Sequence, residues 1–218
     1  MAVTTHEATP MFESDQTLDL TPTAPAVTRE NPQPSRAEAE AAVRTLIRWA
    51  GDDPAREGLL ATPSRVVRAY EEWFGGYRQD PASLLKRTFG EVGGYDDAVI
   101  LRDIPLQSTC EHHMAPIRGL VHIAYLPRRR VVGISKLARL VEAFGRRLQI
   151  QERLTTEIAD TLAQVLQPRG VAVIVQASHE CLSSRGVSLH GVSMQTRRLL
   201  GEFAQEPRRA EILATLAG

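Results

Sequence analysis

The pattern of hydrophobic and polar positions divides the chain into a tail, a helical region and a mixed domain. Residues 1–34 are rich in threonine and proline and show no apolar periodicity. Such a segment cannot bury enough apolar surface to offset the entropy lost on ordering, so we expect a disordered tail. In residues 35–95, apolar side chains recur at helical spacing. One helix begins at Ser35, where Glu38 completes a capping box, and a second begins at Thr62.

Residues 96–218 combine strand and helix patterns. Short apolar runs rich in β-forming residues predict strands over residues 99–106 and 120–126. The proline and arginines of residues 127–130 predict a hairpin turn that leads back to Val131. The first part of this domain is therefore expected to be a pair of antiparallel strands.

Two amphipathic helices and a further strand region follow. Ser135 is positioned to cap the first helix, whose apolar stripe continues to Leu148, and the second helix runs from about residue 155 to 167. Residues 171–177 form the clearest strand pattern. The order strand, strand, helix, helix, strand, strand predicts an α+β domain.

Composition narrows the class of protein. The 218 residues are 43% hydrophobic and 24% charged, with a formal net charge of zero. These values are typical of a globular protein, and the neutral charge argues against nucleic acid or an anionic membrane surface as a partner. No apolar run approaches the roughly 18 residues that would suggest a membrane span. Two cysteines without an export signal predict a reducing, cytoplasmic location.

The candidate chemistry is concentrated in two short clusters, residues 110–113 and 179–181. Thiolate and imidazole are the ligands that Zn²⁺ prefers, and Cys110, His113 and Cys181 would leave a fourth position open for water. The sequence therefore predicts a catalytic zinc site. Two alternatives remain at this point, a closed site with a histidine as fourth ligand, and buried thiols without a metal.

Each proposed ligand pair has a neighbouring histidine. His112 and His179 are suited to general acid or base catalysis, because imidazole titrates near neutral pH. The alternative is that these two rings only orient the metal ligands through hydrogen bonds.

Polar residues elsewhere could bind a nucleotide. Basic residues near a helix start suit a polyphosphate, whereas the alternative for each is a solvated surface charge; they are Arg65, Lys136, Arg139 and Arg185. The carboxylate and amide of Glu152 and Gln151 could pair with the edge of a guanine, unless these residues are ordinary loop polarity.

Four separated blocks give the chain a family resemblance. They are Cys110-Glu111-His112-His113, residues 133–139, residues 147–155, and residues 178–187 with Cys181. In this order and spacing the chain resembles GTP cyclohydrolase I over roughly residues 36–204. The resemblance implies an α+β tunnelling fold with an antiparallel sheet and two long helices, preceded by an N-terminal helical region. It also implies a ring-shaped homodecamer with active sites at subunit interfaces.

The resemblance assigns roles to individual residues. The family's Zn²⁺ ligands fall on Cys110, His113 and Cys181. Its catalytic residues fall on His112, His179 and Ser135. The triphosphate contacts are implied for Arg65, Ser135, Lys136, Arg139 and Arg185, and guanine recognition for Gln151 and Glu152.

The implied reaction is zinc-dependent hydrolysis of GTP to 7,8-dihydroneopterin triphosphate and formate, the first step of tetrahydrofolate and pterin biosynthesis. One competing interpretation is another tunnelling-fold enzyme, a nitrile reductase with a nucleophilic cysteine and a nicotinamide cofactor. A second is a zinc-stabilised ring that binds purine nucleotides without turnover, because the loop at Leu189 and His190 departs from the family's usual sequence.

Overall fold

The computed structural model describes residues 33–90 and 95–217, apart from the side chain of residue 217. Residues 1–32 of the predicted tail therefore lie outside the described residues. The helices are α1 (Arg36–Trp49), α2 (Thr62–Trp73), α3 (Pro81–Leu84), α4 (Ile134–Gly145), α5 (Gln151–Leu166), α6 (Glu180–Ser183) and α7 (Arg208–Ala217). The strands are β1 (Thr88–Phe89), β2 (Val99–Cys110), β3 (Pro116–Leu126), β4 (Val131–Val132), β5 (Leu148–Gln149), β6 (Gly170–His179) and β7 (Met194–Gly201).

The first two helices lie where the sequence predicted them, and Ser35 caps α1 as expected, whereas the N-cap of α2 is Ala61 rather than the predicted Thr62. The Ser35 hydroxyl accepts a hydrogen bond from the Glu38 amide at 3.2 Å, and the Glu38 carboxylate accepts one from the Ser35 amide at 2.8 Å. This capping box satisfies two donors that the start of α1 would otherwise leave free. The two helices pack against each other, yet α1 has no buried residue and α2 buries only Pro63.

A five-stranded sheet organises the rest of the described chain, in the order β5-β2-β3-β6-β7. All neighbouring strands are antiparallel except β5, which pairs with β2 in parallel through Thr109 and Cys110. The predicted hairpin at residues 127–130 is wrong. Strand β4 pairs with β1 in a separate two-stranded sheet, because both edges of β3 are already occupied by β2 and β6.

Helices α4 and α5 cover one face of the sheet. Their apolar stripes meet alternate residues of β6, among them Val173 and Val175, in one buried cluster. The intervening residues of β6, Ala172 and Ile174, face a second cluster that includes Ile212 of α7. Because the sheet is covered on both faces, β6 is a continuous apolar run rather than an alternating one. The α+β class with a largely antiparallel sheet and two long helices is confirmed.

The starts of α4 and α5 also differ from the sequence prediction. The N-cap of α4 is Gly133, not Ser135, which lies exposed in the first turn, and α4 ends at Gly145, before Leu148. Helix α5 begins at Gln151, four residues before the predicted start near 155. Its N-cap residue, Ile150, offers no side-chain hydrogen bond, so the sequence lacks the capping residue that usually marks a helix start.

Within residues 33–90 and 95–217, no helix has both the length and the apolar character needed to cross a membrane.

Close pairing of β3 with β6 depends on one glycine. A Cβ atom at Gly119 would overlap the Gln176 carbonyl oxygen and lie 2.6 Å from the Ala177 Cα atom. We expect Gly119→Ala to lower the free energy of unfolding by about 1–3 kcal/mol, since overpacking a strand pair forces the backbone apart. Chemical denaturation measures this change. Gly90→Ala is the matched control, because a Cβ atom there meets nothing within 4 Å, and equal stability losses in the two variants would contradict the prediction.

Candidate metal centre and active site

Three strands have an end at the same end of the sheet, which is called the site end below. Strand β2 ends at Cys110, β3 begins at Pro116 and β6 ends at His179. Ile117 of β3 lies opposite His179, so β3 holds the two distant chemical clusters side by side. The start of α5 lies at this end of the sheet as well, since β5 pairs with the end of β2 directly before the helix begins.

A tight turn joins β2 to β3 and presents the first cluster. The Cys110 amide donates to the Ala115 carbonyl at 2.8 Å, and the Met114 amide donates to the Cys110 carbonyl at 2.8 Å. Met114 adopts a left-handed conformation, with φ of 51°. This closure brings the nearest ring nitrogens of His112 and His113 each to 3.9 Å from the Cys110 sulfur.

The structure brings together the three side chains predicted as metal ligands. The sulfur atoms of Cys110 and Cys181 and a ring nitrogen of His113 lie within 4.8 Å of one another. In a tetrahedral zinc site with bonds of about 2.0–2.3 Å, ligand atoms lie roughly 3.5 Å apart, so small side-chain movements are enough to close the set. Both cysteines are free thiols, and Cys110 is 5% exposed. The donor set therefore fits Zn²⁺.

Burial affects the second thiol. It raises the pKa of Cys181, and the neighbouring Cys110 thiol adds to the same effect. The raised pKa favours the protonated thiol, whereas a bound cation would favour the thiolate, since metal ligation requires it.

His112 and His179 have different surroundings. His112 is exposed, and its Nε2 atom lies 3.9 Å from a carboxylate oxygen of Glu111. His179 is half-buried, and its Nε2 atom lies 2.9 Å from the side-chain oxygen of Gln151. Burial lowers the pKa of His179, against an opposing effect of the Glu152 charge, and thereby favours the neutral ring.

Gln151 is the most constrained polar residue of the site, with 1% of its surface exposed. Its amide nitrogen donates to two backbone carbonyls and to the Thr196 hydroxyl, at 3.0–3.1 Å. Because all three partners are acceptors, the amide oxygen must face His179. His179 therefore donates from Nε2 when neutral, and its Nδ1 atom keeps the free lone pair. The guanine contact of Gln151 stays a prediction. To reach a ligand, the Gln151 side chain would have to give up one of these hydrogen bonds.

Glu152 is available to a ligand. It is exposed in the first turn of α5, and its carboxylate has no hydrogen-bond or ion-pair partner in the described part of the chain. Its charge is felt by His179, which places it beside that ring.

The predicted phosphate contacts are spread over several elements. Ser135 and Lys136 lie in the first turn of α4, and Arg139 follows one turn later. Arg185 is exposed just after α6, and Arg65 is exposed on α2, which packs mainly against α1. None of the four basic side chains is in an ion pair with any residue that the structure describes, so all four remain free for an anion.

The sequence did not predict the contact between two residues at the site end of the sheet. Arg153, in the first turn of α5, forms an ion pair with Glu111 of the turn. The two residues lie 42 positions apart, and neither stands in a local pattern that signals the other. Only the packing of α5 against the sheet brings them together.

A cavity of about 320 Å³ lies beside the same turn but outside the metal cluster. Its walls include Tyr70, Trp73 and Met114, and the Ser108 hydroxyl at its edge has no hydrogen-bond partner among the described residues. None of the predicted catalytic or substrate-binding residues lines it, so this cavity is distinct from the candidate active site.

Sequence comparison identifies relatives over most of the chain. A protein family described as GTP cyclohydrolase I matches residues 39–217. The chain is 59% identical over 176 residues to GTP cyclohydrolase 1 of Maricaulis maris, covering 81% of this chain and 86% of the relative. It is 54% identical over 181 residues to GTP cyclohydrolase 1 of Brucella canis, covering 83% and 85%.

The structure combines an α+β fold with a cysteine–histidine cluster that could hold a metal ion. The chain belongs to the GTP cyclohydrolase I family, and it is an enzyme of that family. The family predicted from the four sequence blocks is thereby confirmed, and the nitrile-reductase interpretation is set aside.

Two solved structures resemble part of the chain. An archaeosine synthase QueF-Like in the apo form has a TM-score of 0.42 and 20% identity, covering 49% of this chain and 96% of its own. A dihydroneopterin aldolase from Burkholderia thailendensis, bound to guanine, has a TM-score of 0.32 and 14% identity, covering 48% and 92%. At these scores the likenesses carry no weight for function.

Proposed function

We propose that this chain hydrolyses GTP to 7,8-dihydroneopterin triphosphate and formate at a Zn²⁺ site formed by Cys110, His113 and Cys181. The observation that carries the proposal is the convergence of these three ligand atoms within 4.8 Å, in a chain of the GTP cyclohydrolase I family. Zn²⁺ held there would supply the Lewis acidity that activates water for attack on C8 of the guanine ring.

His112 and His179 are proposed to move the protons of ring opening. The neutral His179 ring offers Nδ1, since Nε2 is bonded to Gln151. It would take a proton from the attacking water and return it to the ring nitrogen that leaves C8. A second hydrolysis releases C8 as formate, after which the ribose opens, rearranges to a ketone and closes the dihydropterin ring. His112, exposed in the turn, is the second candidate for these transfers.

The triphosphate is proposed to bind at the start of α4. The Ile134 and Ser135 amides precede the first hydrogen bond of α4, in which the Lys136 amide donates to the Gly133 carbonyl at 2.8 Å, and such free amides attract an anion. Lys136 and Arg139 add positive charge there. Ser135, exposed in the same turn, can donate a hydroxyl to a phosphate oxygen. Arg65 and Arg185 are the remaining proposed contacts. Binding energy from these remote groups would position C8 against the reacting water.

Guanine recognition is proposed to depend on Glu152. A carboxylate can accept hydrogen bonds from both N1–H and the 2-amino group of guanine, a pairing that adenine lacks. The unpaired, exposed carboxylate beside His179 supports this role. The family resemblance also implies a guanine contact for Gln151. We propose that its hydrogen bond with His179 holds the Gln151 side chain in place for that contact.

A ring-shaped homodecamer with active sites between subunits is proposed from the family resemblance, and the uncovered surfaces of the chain support it. Within the described residues, the outer edge of β2 over residues 99–108 and that of β7 have no partner strand. Such edges are normally covered. The apolar residues of the helical pair add to this, because Trp49 is 87% and Trp73 55% exposed. A neighbouring subunit that covers these surfaces would also bring Arg65 of α2 to a second site.

A cytoplasmic location and a place at the first step of tetrahydrofolate and pterin biosynthesis complete the proposal. Both follow from the sequence and the family resemblance.

The central test is product formation from GTP. We expect zinc-loaded protein to release formate and to give a pterin fluorescence signal after oxidation, with about one Zn²⁺ per chain by metal analysis. Cys181→Ala should lose both the metal and turnover, because two ligands hold the ion too weakly. His190→Ala, in an exposed loop, is the control and should keep its metal. Absence of product with zinc bound would leave the nucleotide-binding scaffold as the better interpretation.

Glu152→Ala tests guanine recognition. We expect discrimination between GTP and ATP to fall at least tenfold, since one lost charged hydrogen-bonding partner is worth about 1.5–3 kcal/mol. Competition binding measures this ratio, and zinc content should stay normal. Glu211→Ala, an exposed acid on α7, should change neither quantity. Unchanged discrimination in Glu152→Ala would rule out this role.

Native mass spectrometry tests the assembly. We expect a single species of ten 24.1 kDa chains. Trp49→Glu should lower the assembly state, because it places a charge on a surface that the neighbouring subunit would bury. Trp49→Phe keeps an apolar ring and should assemble normally. A monomeric wild-type protein with full turnover would contradict the interfacial active site.

A further inference from the structure

We propose that Arg153 is a positioning residue of the metal centre, which holds the ligand-bearing turn in place through Glu111. The inference rests on the zinc site of the proposed function. Glu111 lies in the turn between β2 and β3, directly after Cys110 and two residues before His113. A guanidinium nitrogen of Arg153, in the first turn of α5, donates to its carboxylate. The ion pair therefore joins the turn to a helix of the core.

Arg153 is itself held by further acceptors. The same nitrogen, Nη2, donates to the Leu148 carbonyl at 3.1 Å, and Nε donates to the side-chain oxygen of Gln149 at 3.1 Å. A guanidinium is planar, so bonds on two of its nitrogens fix the direction of the whole group. Arg153 thus reaches Glu111 from a defined position rather than as a freely moving surface charge.

Gln149 gives this arrangement a rigid base. Its side chain is 2% exposed, and its amide nitrogen donates to the Phe144 carbonyl at 3.2 Å and to the Glu157 carboxylate at 2.8 Å. Those acceptors turn its amide oxygen toward Arg153. The backbone carbonyl of Gln149 also accepts the Glu111 amide at 3.0 Å. One buried residue therefore supports both ends of the ion pair.

The ligand that depends most on this support is His113. Cys110 is buried and paired in the sheet, whereas His113 is exposed beyond it. The turn between them is closed by two backbone hydrogen bonds and joined to Gln149 by the Glu111 amide, and the ion pair of the Glu111 side chain with Arg153 is a further restraint. Loss of groups that orient metal ligands weakens metal binding by about 10- to 100-fold in other sites.

An ordinary surface ion pair is the competing explanation. The Arg153 and Glu111 side chains are 37% and 31% exposed, and a pair of this kind often contributes little to stability. The chain contains a matched case, since Arg198 and Asp160 pair at 3.3 Å with exposures of 37% and 27%. That pair joins β7 to α5 without touching the turn. The two arginines can therefore be compared directly.

The test is the Zn²⁺ affinity of the full chain, measured by competition with a chromogenic chelator. We expect Arg153→Met to weaken Zn²⁺ binding at least tenfold, while Arg198→Met binds as the wild type. Arg153→Lys should show most of the loss, because a single ammonium cannot make the same three bonds. Glu111→Gln, which keeps an acceptor but loses the charge, should fall between Arg153→Met and the wild type.

A second readout follows the geometry of the site. Co²⁺ in a tetrahedral site with two thiolates has visible absorption bands, and we expect these to change shape in Arg153→Met and not in Arg198→Met. Wild-type Zn²⁺ affinity and Co²⁺ spectra in both Arg153→Met and Arg153→Lys would overturn the inference while leaving the proposed reaction intact. A wild-type protein that binds no Zn²⁺ would instead overturn the proposed metal site and this inference with it.

Discussion

The pairing of β3 with β2 on one side and β6 on the other is the constraint on which the site depends. It places Ile117 opposite His179 and brings the end of β2 beside the end of β6. A slip of one residue would move Gly119 away from the Gln176 carbonyl and bring a residue with a Cβ atom into that close contact. The backbone packing that fixes the register of β3 and β6 therefore also determines where Cys110 and Cys181 meet. The candidate metal ligands therefore lie at a position that the packing of the core defines.

The first turn of α5 contacts both chemical clusters. Gln151 reaches His179 on one side, and Arg153 reaches Glu111 on the other. Buried amides such as Gln149 and Gln151 are costly unless every bond is made, so their partners are held in fixed positions. A helix start without a capping side chain thus serves as the support of both chemical clusters. Glu152, between these two residues, keeps its carboxylate free for a ligand.

Sequence periodicity predicted the long helices and the central strands, but it did not predict α7, and it was less accurate for the ends of the elements. The apolar stripes of α4 and α5 and the continuous run of β6 follow directly from burial on a helix face or in a covered sheet. The hairpin at residues 127–130 was wrong, since turn-forming residues show that the chain reverses but not which strand it joins. The start of α5 was missed because Gln151 and Arg153 are polar residues whose partners lie far away in sequence.

The sequence by itself determined the candidate metal ligands, the family and the main helices and strands, because these depend on residue types and their local spacing. It could not decide that Gln151 is buried against His179, that Glu111 is tied to Arg153, or that β4 leaves the main sheet for β1. Each of these is a contact between segments distant in the chain. Only the tertiary structure decides such contacts, because they form where the packing of helices on the sheet leaves polar groups to be satisfied.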